Sequence, residues 1–199
     1  MKPNLRAAVL ATVLTTFPAL LATQSKPITG AATIDVARST LTVQVYRSGI
    51  FSFAGDNHQI RAPIASGSID ERRKSVEFSV DPNQMRVLDP GLDAKKRAQV
   101  QEAMLGPEVL DPQRFREIRF QSTSVEPSGQ NEWAVQGNLT LHGETRPIAL
   151  RVSRLQGQYR GSAVLKQTDF GIKPIRVGGG TVKVKNEVKV EFAIVTDSR

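Results

Sequence analysis

The chain has 199 residues, a hydrophobic fraction of 39% and a charged fraction of 23%, values that fit one medium-sized globular domain and exclude wholesale disorder and a multispanning helical membrane protein. The sequence contains no cysteine, which rules out thiol catalysis, disulfide exchange and cysteine-ligated zinc. A formal net charge of +8 favours anionic surfaces at long range, but the basic residues are scattered, and no basic arm or helix with interleaved aromatics points to nucleic acid.

Lys2 and Arg6 precede an acid-free apolar run from Ala7 to Ala22. Basic end, apolar stretch and small exit residue follow the order of a signal peptide. Thr15, Thr16 and Pro18 weaken a run that is already short for the ~20 residues needed to span a bilayer. Residues 1–22 are read as a cleaved signal, 23–30 as a short linker and 31–199 as the domain. The expected destination is periplasmic or secreted, and the charge falls to +6 as Lys2 and Arg6 leave.

Beyond the linker the chain reads mainly as strands. Leu41, Val43 and Val45 alternate with Thr42, Gln44 and Tyr46, and Val76, Phe78 and Val80 alternate with Glu77 and Ser79, the two-residue period of a strand with one buried face. Between Leu88 and Leu110 the alternation stops. There Asp93 is placed to cap a run of helix formers that ends at Gly106-Pro107, which predicts one short helix packed as a lid or plug. Alternation resumes at Ile118 and Phe120, and again at Ile148, Leu150 and Val152. In the last strand Val182, Val184, Val188, Val190, Phe192 and Ile194 share one phase. Asn186 interrupts that apolar face and predicts a bulge or a polar spot. Turn signals at Ser48-Gly49, Ser66-Gly67, Pro127–Gly129, His142-Gly143 and Gly178–Gly180 separate the runs, as in a meander, sandwich or barrel.

Four stretches occur in a telling order: Thr33-Ile34-Asp35 with Ser39, Glu117–Thr123, Val135–Ile148 and Thr168–Ile172. Together they resemble YceI-like proteins, and the stretch Gly137-x-Leu139-Thr140-Leu141-His142-Gly143-x-Thr145-Arg146 carries most weight. The resemblance implies an all-β fold, an extended antiparallel lipocalin-like β-barrel with a short helical lid. It also implies an exported binding protein that holds a polyisoprenoid, quinone-like or other lipid chain. Departures are Ala32-Thr33 where relatives place an aromatic, Gly106–Pro112 in place of an acidic-aromatic stretch, and Asp56 where a subgroup has histidine.

Strand phase nominates apolar ligand contacts at Phe51, Phe53, Phe78, Val80, Phe120, Leu139, Leu141, Leu150, Val164, Phe170, Val190 and Phe192. Lys166, Lys173 and Arg176 are nominated for a head-group rim, and Trp133 for either packing or a head-group or membrane contact. Alternation alone does not separate a hollow barrel from one filled by its own side chains; a filled barrel would make the chain a structural or interaction module. His58 and His142 are the only histidines. Asp56 and His58 form the one acid–base or metal pair in sight, short of the three or four ligands a metal site requires. No nucleophile elbow, zincin motif, phosphate loop or dinucleotide fingerprint occurs. The expectation is therefore a non-enzymatic protein with no catalytic residue, metal or cofactor, whose partners are a long-chain isoprenoid or lipid and, transiently, an anionic membrane surface. A homodimer is left open.

Overall fold

The computed structural model describes residues 30–48, 57–177 and 182–197. The proposed signal and most of the proposed linker, with Phe51, Phe53 and Asp56, lie outside the described residues. The period-two runs form the strands β1 (Ala32–Thr33), β2 (Thr40–Ser48), β3 (His58–Arg61), β4 (Ile64–Asp70), β5 (Ser75–Val80) and β6 (Arg86–Val87). After the helix α1 (Ala94–Leu105) follow β7 (Ile118–Gly129), β8 (Glu132–Leu141), β9 (Glu144–Leu155), β10 (Gln158–Lys166), β11 (Arg176–Val177) and β12 (Val182–Ile194). Neighbours pair antiparallel in the order β1-β4-β5-β7-β8-β9-β10-β12-β2-β3-β6, with β11 on β12.

This sheet closes on itself. β2 pairs along β12, and the end of β1 meets the chain just beyond β12. Ile34 bridges Thr196, the Asp35 amide donates to the Val195 carbonyl at 2.9 Å, and the Asp197 amide donates to Thr33 at 2.9 Å. Between β1 and β2, Asp35 accepts from the amides of Ala37 and Arg38 at 3.0 Å, and the Arg38 guanidinium beside it holds its carboxyl below the usual range. Ser39 Oγ then donates to the Val195 carbonyl and accepts from its amide. The result is an eight-membered ring, β1-β4-β5-β7-β8-β9-β10-β12, without a free edge at that seam.

β2, β3 and β6 extend the wall beyond the ring at one end, the mouth. There α1 lies beside β6, where the Gln101 carboxamide imitates a neighbouring peptide. Its Oε1 accepts from the Val87 amide at 2.9 Å and its Nε2 donates to the Met85 carbonyl at 2.9 Å. Asp93 caps the helix as expected, accepting from the amides of Lys95 and Lys96, and the buried Met104 is turned to the core. The opposite, distal end carries the β4–β5, β7–β8 and β9–β10 turns.

β9 and β10 pair only from Arg151 to Leu155 and from Gln158 to Ser162. Beyond that point the 3-10 turn Gln167–Phe170 sits near β9. Arg146 Nε donates to the Asp169 carbonyl at 2.9 Å, and His142 Nδ1 lies 3.2 Å from the Phe170 carbonyl. Asn186 sits at a register shift in β12 between Val184 and Val188, the expected bulge. Its side chain accepts from the Thr168 amide at 3.0 Å and donates to Thr168 Oγ1 at 2.9 Å, so the irregularity holds the turn in place.

Candidate functional site: an apolar cavity along the barrel axis

The inward faces of the strands enclose three adjoining chambers. A distal chamber of about 250 Å³ is lined by Trp133, Val135, Val152, Tyr159 and Ile194, among others. A middle chamber of about 160 Å³ shares Phe78, Phe120, Leu150 and Phe192 with it and adds Val80, Leu139, Leu141 and Val190. An outer chamber of about 440 Å³ lies under α1 and shares Val45, Ile60, Met104, Val109 and Gln167 with the middle one. The lining of the middle chamber is almost wholly apolar, and polar groups gather at the two ends.

Two glycines help keep the axis open. A Cβ on Gly137 would lie 2.4 Å from Phe120 Cζ, and one on Gly161 would lie 2.5 Å from Phe192 Cζ. Each phenyl ring therefore lies along the wall over a glycine of the neighbouring strand instead of crossing the lumen. Phe78 and Phe120 pack against each other with ring centroids 5.5 Å apart, while Leu150 and Phe192 remain half-buried although they point inward.

The outer chamber holds the polar groups suited to a head group. Arg47, Lys96, His58, Gln99 and Gln167 line it. His58 Nδ1 stands 2.6 Å from Asp89 Oδ2; Asp89, 5% exposed, also accepts from the Gln59 amide at 2.8 Å. At the distal end Tyr159 donates to Glu71, and Arg154 Nη1 stands 3.1 Å from the same carboxylate oxygen. Burial, with that carboxylate second, pushes the Tyr159 phenol up to about 12.

Of the nominated contacts, Phe78, Val80, Phe120, Leu139, Leu141, Leu150, Val190 and Phe192 line the cavity. Val164 does not: it is 65% exposed on the outer face. β10 turns Tyr159, Gly161, Ala163 and Leu165 inward, and two small residues in that phase hide it from a pattern based on bulky side chains. Phe170 is buried in the 3-10 turn beside β9, outside the three chambers. Lys166 and Lys173 are exposed one position out of phase with the buried Leu165 and Ile172, and exposed Arg176 lies on β11; none of the three lines a chamber. The basic groups that do so, Arg47 and Lys96, were missed because Arg47 sits in the inward phase of β2, normally apolar, and Lys96 depends on how α1 docks. His58 pairs with Asp89, 31 positions later, a partner no local motif announces. His142 occupies the β8–β9 hairpin with φ 51° and packs against Phe115, the two rings tilted with centroids 4.3 Å apart. Trp133 packs inside, with its ring centroid 5.9 Å from that of Tyr159.

The description of a YceI-like domain matches residues 33–196, nearly all of the described barrel. The chain belongs to the YceI-like domain family. Among curated relatives, a UPF0312 protein of Shewanella oneidensis is 33% identical over 96 residues, which are 43% of this chain and 50% of that protein. A UPF0312 protein of Shewanella putrefaciens is 32% identical over the same length and shares. The matched part thus spans about half the length of these relatives. Among solved structures, Burkholderia cenocepacia BcnA superposes with a TM-score of 0.58 at 17% identity, covering 83% of this chain and 99% of that one. A polyisoprenoid binding domain from Saccharophagus degradans, implicated in plant cell wall breakdown, gives 0.59 at 15% identity, covering 85% and 100%. These likenesses establish that this YceI-like chain has the same barrel fold.

Proposed function

We propose that this YceI-like domain is a binding protein that holds a polyisoprenoid or another long-chain amphiphile, quinone-like or lipid, for carriage or storage, with no chemical step of its own. One observation carries the reading: three adjoining chambers run from α1 to the distal turns, apolar through the middle and with polar groups at the two ends. A chain laid along them gains about 25 cal/mol for each Å² removed from water. The Saccharophagus domain, described as polyisoprenoid binding, makes isoprenoids the first class to try. In this reading the tail lies in the distal and middle chambers. The head group lies in the outer chamber against Arg47, Lys96 and the His58–Asp89 pair. Residues 1–22 act as an export signal, and the basic net charge supports brief encounters with anionic membrane in the periplasm.

Displacement of a fluorescent fatty-acid probe by isoprenols, quinones and fatty acids tests this. The expected result is saturable, near-stoichiometric probe binding reversed by at least one long-chain amphiphile. A folded protein that takes up neither probe nor any of these chains contradicts it and favours a filled interaction module.

A further inference from the structure

We infer that the β4–β5 turn, Glu71 to Lys74, is a fixed cap over the distal end of the cavity and sets the longest apolar tail the barrel takes. The inference rests on the binding reading above and deepens it at the distal chamber. The turn is built to hold its shape. Asp70, 6% exposed, accepts from the amides of Arg72 and Arg73 at 3.0 and 2.9 Å; the Arg73 amide, above all, holds its carboxyl below the usual range. Lys74 takes the left-handed conformation, φ 52°, that reverses the chain into β5.

The turn is strapped to two other elements. Glu71 accepts from the Tyr159 hydroxyl on β10 and pairs with Arg154 on β9, whose guanidinium also lies over the Tyr159 ring, 5.1 Å from its centroid. On the other side Lys74 Nζ is 3.6 Å from Glu126 Oε2 on β7. Asp70, Glu71, Lys74 and Tyr159 all line the distal chamber together with Trp133. A tail entering from the α1 end therefore meets this strapped turn last. The exposed ion pairs contribute little by themselves; the hydrogen bond from the buried Tyr159, with Arg154 on the same carboxylate, gives the cap its anchor.

The sequence has a single tryptophan, Trp133, and it faces this chamber, so its emission reports both access and occupancy. Wild type, Glu71→Ala and Tyr159→Phe are compared for binding geraniol, farnesol, geranylgeraniol and solanesol, with acrylamide quenching of Trp133 measured without alcohol. Glu77→Gln, which removes an exposed pair with Arg119 outside the cap, is the control. Wild-type affinity is expected to rise along the series and then stop. Glu71→Ala is expected to raise solanesol affinity about tenfold, leave farnesol unchanged and increase quenching, with Tyr159→Phe intermediate and the control like wild type. Unchanged quenching, or an unchanged length limit in variants that bind farnesol and melt cooperatively, overturns the cap. If no alcohol binds the wild type, the length limit falls; the binding reading itself falls only if the wild type also takes up neither the fatty-acid probe nor quinones.

Discussion

Phe192 of β12 and Gly161 of β10 sit directly opposite each other, with the phenyl Cζ 2.5 Å from where a glycine Cβ would stand. The Arg151 carbonyl lies 2.6 Å from the same point, and a backbone oxygen cannot step aside as a side chain can. Gly161→Ala is therefore expected to cost about 1–3 kcal/mol, the usual cost of overpacking, and to tilt the Phe192 ring into the lumen. Urea unfolding and probe binding should both weaken. Unchanged stability and binding would mean that the glycine does not keep the wall thin.

Leu150 lines both the distal and the middle chamber, whereas Val164 faces out. Leu150→Trp is expected to lower affinity for a long-chain probe at least about tenfold, some 1.4 kcal/mol, while the domain still folds. Val164→Trp should bind like wild type. Equal effects at both positions would show that the probe sits on the outside of the barrel.

Gln101 satisfies two backbone groups beside β6. Replacing it with alanine leaves the Val87 amide and the Met85 carbonyl without these partners, at a cost of about 1–3 kcal/mol where water cannot replace them. Hydrogen exchange should rise first at residues 85–87 and in α1. Exchange unchanged there would mean that α1 is held by its apolar contacts alone.

The raised phenol of Tyr159 links stability to alkaline pH. Its ordinary value is 10.0 and the folded value is about 12, so the unfolded chain releases the proton first. The contribution is complete below pH 10 and declines as pH rises through 12. In a Tyr46→Phe background, which leaves Tyr159 as the one tyrosine, tyrosinate absorbance should appear late and coincide with loss of the Tyr159–Glu71 bond. Ionisation near 10.0 would show that the phenol is not held as described.

Much of the barrel was legible because a period of two needs only local information. Val43, Phe78, Leu150 and Val190 fell in the inward phase where their strands alternate cleanly. The Thr33–Asp35 and Ser39 signature also proved structural, since Ile34, Asp35 and Ser39 join the strand ends that close the ring. The phase failed at Val164, where Gly161 and Ala163 thin out the inner face of β10. The outer chamber was opaque for another reason. Arg47, His58 with Asp89, and Lys96 come from β2, β3, the segment before the helix and α1, and only tertiary packing brings them together.

The role proposed for the cavity is to bind a long amphiphile. Native mass spectrometry of the protein purified from its own cells, followed by mass spectrometry of its organic extract, tests it most directly. The expected result is a near-stoichiometric long-chain species, isoprenoid or lipid, depleted in Leu150→Trp and retained in Val164→Trp. A protein that carries no such species, and that remains without one after incubation with isoprenols and quinones, would contradict it.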